Sequence, residues 1–134
     1  MGTPCSATIH LHPTSTGRHS LKKDFAQGSE EQITIRTLDS LALAEPFFLW
    51  VDTEGYELEV LQGAKRSLGE HCVGVCIELS PVISGSADAL AALALLREQF
   101  SSFLSDQGAP QDPERLAREI GSGALKQMDL VCLR

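Results

Sequence analysis

The chain has 134 residues, of which 43% are apolar and 22% are charged. This composition fits a single globular domain and argues against a disordered tail. Eighteen acidic residues against eleven basic ones give a net charge of −7, which argues against nucleic acid or an anionic membrane as a partner. No signal sequence and no apolar run of about 20 residues is present, so we expect a soluble, cytoplasmic protein with reduced cysteines.

The N-terminal quarter of the chain is predicted to contain little regular structure. A weak alternation of apolar residues predicts a short strand over residues 7–11, and a polar loop follows, so residues 1–32 form an irregular N-terminal segment. Residues 33–36 are β-branched and alternating, which predicts a second strand. Thr37 is a capping-type residue and predicts a helix of about two turns, which ends at Pro46.

The centre of the chain predicts a parallel strand, a turn and a helix. Phe47–Val51 is apolar on both faces, as in a buried parallel strand. The turn Asp52-Thr53-Glu54-Gly55 leads into one helix. The apolar stripe of that helix consists of Leu58, Leu61, Ala64 and Leu68. Residues 73–79 predict the next strand, which ends near Glu78.

The C-terminal part completes the predicted sheet. Ser86 is expected to cap a helix that reaches Phe100, residues 103–104 are a weak strand, residues 112–120 a short helix and residues 128–133 a last strand. The order of elements predicts one α/β domain over residues 1–134. We expect parallel central strands, helices packed on the faces of the sheet, and an antiparallel C-terminal edge.

Acidic side chains follow both central strands of the predicted sheet. Ligands of open α/β sheets bind beyond the carboxyl ends of the strands, so Asp52 and Glu54 are candidate catalytic residues. Glu78 and Tyr56 are candidate substrate-binding residues in the same pocket. The alternative is structural: Asp52 or Thr53 caps the helix, Glu78 is a solvated strand end and Tyr56 covers the edge of the sheet.

No metal site is predicted. His10 and His12 are two residues apart and would share a strand face, but no cysteine or carboxylate stands at a recognisable ligand spacing from them. We therefore expect both histidines to be surface residues.

Two motifs together resemble the FkbM-type methyltransferase family. They are Thr37-Leu38-Asp39 and the block that runs from Val51-Asp52-Thr53-Glu54-Gly55 through Gly63-Ala64; Ile77-Glu78-Leu79 matches a third, later pattern. The resemblance implies a Rossmann-like class I fold and S-adenosylmethionine as methyl donor. It also implies methyl transfer to a hydroxyl group of a sugar or another natural product, with Asp52 and Glu54 in the active site.

The chain also departs from the family pattern. Its glycines form no glycine-rich fingerprint, so it resembles the C-terminal half of the family domain, and Trp50 stands where the family often has lysine. We therefore expect the monomer not to bind S-adenosylmethionine with normal affinity. The alternative function is a non-catalytic remnant or a homodimeric interaction module, in which copies pair through the open Phe47–Val51 edge or the N-terminal segment covers that edge.

Overall fold

A computed structural model describes residues 4–15, 18–22 and 28–134 of the chain. The strands are β1 (Cys5–His10), β2 (Glu30–Ile35), β3 (Phe47–Val51), β4 (Cys72–Leu79), β5 (Ser102–Ser105) and β6 (Met128–Leu133). The helices are α1 (Glu57–Gln62), α2 (Lys65–Glu70), α3 (Pro81–Ser84), α4 (Ser86–Gln99) and α5 (Pro113–Ser122), with a single 3-10 turn at Leu38–Leu41. Strands and helices alternate through the centre of the chain, as predicted.

The described strands form two separate sheets. β1 and β2 pair with each other in an antiparallel ribbon. The other four form a sheet in the order β3-β4-β6-β5, in which β3 and β4 are parallel and β6 is antiparallel to both of its neighbours. The predicted α/β class and the antiparallel C-terminal edge are confirmed. In the described part of the chain β3 is an edge strand, and neither β1 nor β2 pairs with it.

The hydrophobic core lies on one face of the larger sheet. Buried residues of β3, β4 and β6 join buried residues of α1, α2, α4 and α5 in one cluster. Val51 is 1% exposed, whereas Phe48 and Trp50, on the opposite face of β3, are 49% and 74% exposed. The prediction that β3 is buried on both faces, with helices on both sides, is wrong for the described residues. Apolar side chains on both faces allow a strand to be buried on both sides. They do not determine whether another segment of the chain packs against each face.

Several helix boundaries differ from the predicted ones. Thr37 does act as a cap, since its hydroxyl accepts a hydrogen bond from the Ser40 amide, but only one 3-10 turn forms after it. The helix predicted after the acidic turn is divided into α1 and α2 at residues 63–64. The N-cap of α4 is Gly85 rather than Ser86. α5 runs to Ser122, two residues beyond the predicted end at residue 120, and its C-cap is Gly123, whose positive φ of 75° suits that position.

Asp39 fastens the 3-10 turn to the start of α2. Its carboxylate accepts hydrogen bonds from the amides of Arg66 (3.0 Å) and Ser67 (2.8 Å) and from the Ser67 hydroxyl (2.8 Å). Its own amide donates to the carbonyl oxygen of Gly63 at 3.0 Å. A carboxylate that accepts amide donors from a first helical turn is a stabilising cap. The first two motifs of the sequence are therefore held together by Asp39.

The N-terminal segment contains more pairing than predicted. It includes all of β1, and β2 already begins at Glu30. His10 pairs through its backbone with Ser20 and is 8% exposed, and its Nδ1 lies 3.3 Å from Glu30 Oε1. The prediction that His10 is a surface residue is therefore wrong, because the ribbon and the Ser20 segment cover it.

All four cysteines of the chain are unpaired thiols. Cys72 and Cys132 are fully buried among apolar side chains, and burial raises the pKa of the Cys132 thiol to about 12. No helix in residues 4–15, 18–22 and 28–134 combines the length and the apolar character needed to cross a bilayer.

Candidate functional site

The acidic turn, residues 52–55, leaves the carboxyl end of β3 in a conformation that ordinary residues rarely adopt. Glu54 has φ = 52° and Gly55 has φ = 98°. A side chain at position 55 would be strained, and its Cβ would also lie 2.7 Å from Ile83 Cγ2. The Ser20 hydroxyl donates a 2.9 Å hydrogen bond to the carbonyl oxygen of Glu54. This hydrogen bond connects the turn to the segment after β1.

Glu57 holds the acidic turn from the first position of α1. It is only 3% exposed, and its Oε1 accepts hydrogen bonds from the Thr53 amide (3.1 Å), the Thr53 hydroxyl (3.1 Å) and the Gly55 amide (3.0 Å). A buried carboxylate is tolerated only when donors satisfy it, and here the donors belong to the turn itself. Glu57 therefore positions Asp52 and Glu54.

Three predicted site residues lie close enough to influence one another. Burial raises the pKa of the Glu54 carboxyl above its usual value, and the negative charges of Asp52 and Glu57 raise it further, against a smaller opposite effect of Arg18. Burial and the charge of Asp52 likewise raise the pKa of Glu78. The structure thus brings Asp52, Glu54 and Glu78 together at the carboxyl ends of two parallel strands.

The capping alternative for Asp52 and Thr53 is wrong. The N-cap of α1 is Tyr56, whose side chain makes no capping hydrogen bond to a described residue. Thr53 is a donor to Glu57, and Asp52 is exposed, with a carboxylate that accepts no hydrogen bond from any described residue. Glu78 does have a partner, because the Gln127 side-chain amide donates to its Oε1. The carboxylate of Asp52 is therefore available to an external group.

Tyr56 lies apart from these carboxylates. It lines a cavity of about 260 Å³ between the 3-10 turn and α1, and Asp52, Glu54 and Glu78 are not among the residues around that cavity. Although Tyr56 follows the acidic turn directly, the start of α1 points its side chain elsewhere. The structure does not place Tyr56 and Glu78 in one pocket.

Sequence reasoning missed Glu57 and Gln127. Glu57 had a detectable signal: the buried positions Leu61, Ala64 and Leu68, continued back by one helical step of four residues, lead to Glu57. The candidate stripe began at Leu58 because leucine is apolar, although Leu58 is only half-buried. Gln127 had no such signal, since it meets Glu78 only through the pairing of β6 with β4.

The described residues form neither a metal site nor a glycine-rich site for a methyl donor of nucleotide type. These residues include no cluster of three or more metal-ligating side chains. A methyl donor of nucleotide type needs glycines that let the backbone approach it closely. Protein atoms already occupy the space beside Gly55, Gly63 and Gly74. The space beside Gly85, Gly108, Gly121 and Gly123 is open, but none of these four lies with a second glycine in a turn from a strand to a helix. The described part of the chain therefore has no glycine cradle that fits S-adenosylmethionine.

A mixed sheet with carboxylates at the ends of its parallel strands is compatible with a methyltransferase-like α/β protein. The family model for the methyltransferase FkbM domain matches residues 4–103. The chain therefore belongs to the FkbM methyltransferase family, and the predicted family is confirmed. Neither a curated protein nor a solved structure gives a significant match to this chain. Methyltransferases of this family generally depend on S-adenosylmethionine.

Proposed function

We propose that this protein supplies the acceptor side of an S-adenosylmethionine-dependent O-methyltransferase site. The acceptor is a hydroxyl of a sugar or another natural product, Asp52 and Glu54 are the catalytic residues, and Glu78 binds the substrate. The observation that supports this proposal is the position of three carboxylates at the carboxyl ends of β3 and β4, where burial and, after it, the charge of Asp52 raise the pKa of Glu54 and Glu78. Tyr56 contacts the acceptor only if the acceptor also enters the cavity that Tyr56 lines.

Hydroxyl methylation needs an oriented oxygen and a place for its proton. Asp52, exposed at the end of β3, orients the acceptor by accepting a hydrogen bond from a second hydroxyl of the same molecule, which leaves the reacting hydroxyl free to donate to Glu54. Glu54 receives the proton, because a carboxylate with a raised pKa is a stronger base than an ordinary one. Glu57 keeps both groups in place through its bonds to the turn. When bound, S-adenosylmethionine supplies the methyl group.

Radiolabelled methyl transfer to a panel of sugars and other hydroxyl compounds tests this function. At millimolar S-adenosylmethionine, where a weakly held donor still reacts, we expect transfer by the wild-type protein and a loss of roughly 100-fold or more in Glu54→Gln. Glu45→Gln is the matched control, because Glu45 is exposed and precedes the start of β3, whereas the turn follows its end. Absence of transfer, or equal rates in the two variants, would contradict the proposed role of Glu54.

Donor binding is a separate question from acceptor chemistry. Since the described residues contain no glycine cradle for the donor, we expect no stoichiometric binding of S-adenosylmethionine to the monomer at micromolar concentration. Isothermal titration calorimetry on the purified protein measures this directly. Clear stoichiometric heat would show that the chain holds the donor without such a cradle.

A homodimeric interaction module is the second candidate, and the edge strand β3 favours it. An exposed strand edge offers unpaired backbone groups to another chain, and Phe48 and Trp50 place apolar side chains on its open face. We propose that two copies pair through the Phe47–Val51 edge. We also propose a cytoplasmic location, because unpaired thiols fit a reducing compartment.

Sedimentation and light scattering test the dimer. Trp50→Lys should shift the protein to the monomer, whereas Val82→Lys should not, because Val82 is also exposed (66%) but lies on α3. Hydrogen exchange adds a second readout, since pairing should protect the amides of β3 at high protein concentration. A strictly monomeric wild-type protein with unprotected β3 amides would rule out the interaction module.

A further inference from the structure

Two histidine rings hold the loop that follows β1. His12 Nδ1 accepts hydrogen bonds from the Ser15 amide (3.1 Å) and the Thr14 amide (3.3 Å). His19 Nδ1 accepts a 2.9 Å hydrogen bond from the amide of His12. No other described residue accepts a hydrogen bond from these three amides, so the two rings supply the acceptors that this backbone needs. We call residues 11–15 and 18–20 the histidine loop.

The hydrogen bonds of the histidine loop require both rings to be neutral. A ring nitrogen accepts through its lone pair, and in a protonated imidazole both nitrogens carry hydrogen. Protonation therefore turns each Nδ1 from an acceptor into a donor that faces an amide N–H, and the amides of His12, Thr14 and Ser15 lose their acceptors. The charge of a histidine changes between about pH 5 and pH 8. Acid in this range therefore breaks the side-chain hydrogen bonds of the loop.

Ser20 connects the histidine loop to the acidic turn. It follows His19 directly, is 2% exposed and pairs with His10 through two backbone hydrogen bonds of 2.7 and 3.0 Å. Its hydroxyl donates a 2.9 Å hydrogen bond to the carbonyl oxygen of Glu54 and accepts one of 3.0 Å from the Lys22 amide. A rearrangement at His19 therefore acts on the neighbouring residue that holds the turn.

Other charged groups lie around the loop and Ser20. They are His10 and Glu30 in the ribbon, Arg18 and Lys22 on either side of Ser20, Glu54 in the turn and Asp88 on α4. His10 Nδ1 lies 3.3 Å from Glu30 Oε1, so protonation of His10 strengthens this contact and opposes the effect of acid on the loop. Lys22 Nζ lies 3.5 Å from Asp88 Oδ2, and neither of these groups changes its charge near neutral pH.

The described residues offer no carboxylate partner to a protonated His12 or His19. Ion pairs of histidine occur elsewhere in the described chain, at His10 and His71. Arg18 immediately precedes His19 and adds a positive charge beside it. Protonation of the two loop rings therefore removes hydrogen bonds without gaining an ion pair.

We propose that the histidine loop is a pH-sensitive support of the acidic turn. While His12 and His19 are neutral, their rings hold the loop and keep the Ser20 hydroxyl on the carbonyl oxygen of Glu54; protonation of both rings opens the loop and releases Ser20. The turn stays bound to Glu57, so acid loosens it without unfolding the sheet. The support stands without the proposed methyl transfer, because it requires neither a methyl donor nor an acceptor.

NMR spectroscopy of the wild-type protein at about pH 7.5 and about pH 5 tests the support. Ring nitrogen shifts should show the proton of His12 and His19 on Nε2 at the higher pH and on both nitrogens at the lower pH. The protection factor of the Ser20 amide, which corrects hydrogen exchange for the intrinsic effect of pH, should fall about tenfold over this range. A proton on Nδ1 at the higher pH, rings that stay neutral at the lower pH, or unchanged protection of Ser20 would each overturn the proposal.

Asparagine variants separate the histidine loop from other titrating groups. Asparagine Oδ1 is as many bonds from the backbone as histidine Nδ1 and accepts from the same amides, but it does not titrate. The double variant His12→Asn, His19→Asn should therefore protect the Ser20 amide equally at both pH values. His71→Asn is the matched control, because His71 lies outside the loop, and it should keep the tenfold fall of the wild type. A fall that persists in the double variant would assign the effect to His10 and contradict the proposal.

Discussion

The pKa of Asp39, in the first main motif, and the pKa of Glu54, in the second, are shifted in opposite directions. Burial would raise the pKa of Asp39, but hydrogen bonds from Ser67 and Arg66 outweigh burial and hold it below its usual value. At the acidic turn, burial and neighbouring negative charges raise the pKa of Glu54 and Glu78. The fold thus stabilises the negative charge on Asp39 and disfavours it at the ends of β3 and β4.

This difference separates a carboxylate with a structural role, Asp39, from the carboxylates of the candidate active site. Asp39 has its donors and joins the 3-10 turn to α2, so it needs no ligand. The raised pKa values of Glu54 and Glu78 mean that the fold disfavours their negative charge, which a bound hydroxyl or a proton would relieve. Functional sites are where such perturbed carboxylates concentrate. Glu57 is buried like a core residue, but its hydrogen-bond partners belong to the turn.

The largest expected effect comes from removing the support of the acidic turn. Glu57→Ala leaves the amides of Thr53 and Gly55 without their acceptor, so the free energy of unfolding should fall by about 3 kcal/mol. Urea denaturation followed by circular dichroism measures this. Glu98→Ala is the control, because Glu98 is exposed and makes a long, weak contact of 3.8 Å with Lys65 Nζ. This substitution should lower the free energy of unfolding by less than about 0.5 kcal/mol. If both variants lost the same amount of stability, Glu57 would not be the residue that holds the acidic turn in place.

A smaller loss is expected at the Asp39 cap. Asp39→Ala should lower the free energy of unfolding by about 2 kcal/mol at neutral pH, because two amides of α2 lose their acceptor. The folded pKa lies below the usual 3.8, so the ionised group stabilises the fold above that pH. The difference between variant and wild type should therefore shrink as the pH falls through the folded pKa. A difference that does not change with pH would contradict the charged cap.

The smallest effect has the opposite sign. Glu78→Gln should raise the free energy of unfolding at neutral pH by less than about 1 kcal/mol, since solvent screens this partly exposed charge. Its folded pKa lies above the usual 4.5, so the ionised form is disfavoured in the folded state above that pH. The gain should shrink once the pH falls below the raised pKa and be absent below the usual value of 4.5. Destabilisation at neutral pH would mean that Glu78 is a structural group, like Asp39.

Much of the fold was predictable because its strands are short apolar runs with clear ends. The predicted boundaries of β3 and β6 agree with the structure, and the predicted β4 begins one residue late. The helix boundaries were less predictable. The break between α1 and α2 depends on Asp39, which donates to and accepts from residues 63–67 across a separation in sequence that no local pattern reveals.

The candidate site was predictable in part for a similar reason. Asp52, Glu54 and Glu78 share an edge because the carboxyl ends of parallel strands meet there, and the order of elements implies parallel strands. The direction of Tyr56 was not predictable, since it depends on where α1 begins. The burial of Glu57 depends on donors that the turn presents only after it has folded.

The sequence by itself determined the family, the class of the fold and the residues that meet at the acidic turn. These come from motifs and periodicities that act over a few residues. Only the tertiary structure decided that one face of β3 stays uncovered, that Asp39 joins two motifs, and that Tyr56 lines a cavity apart from the three carboxylates. Cover, partners and cavities depend on which distant segments meet, and a pattern along the chain does not contain that information.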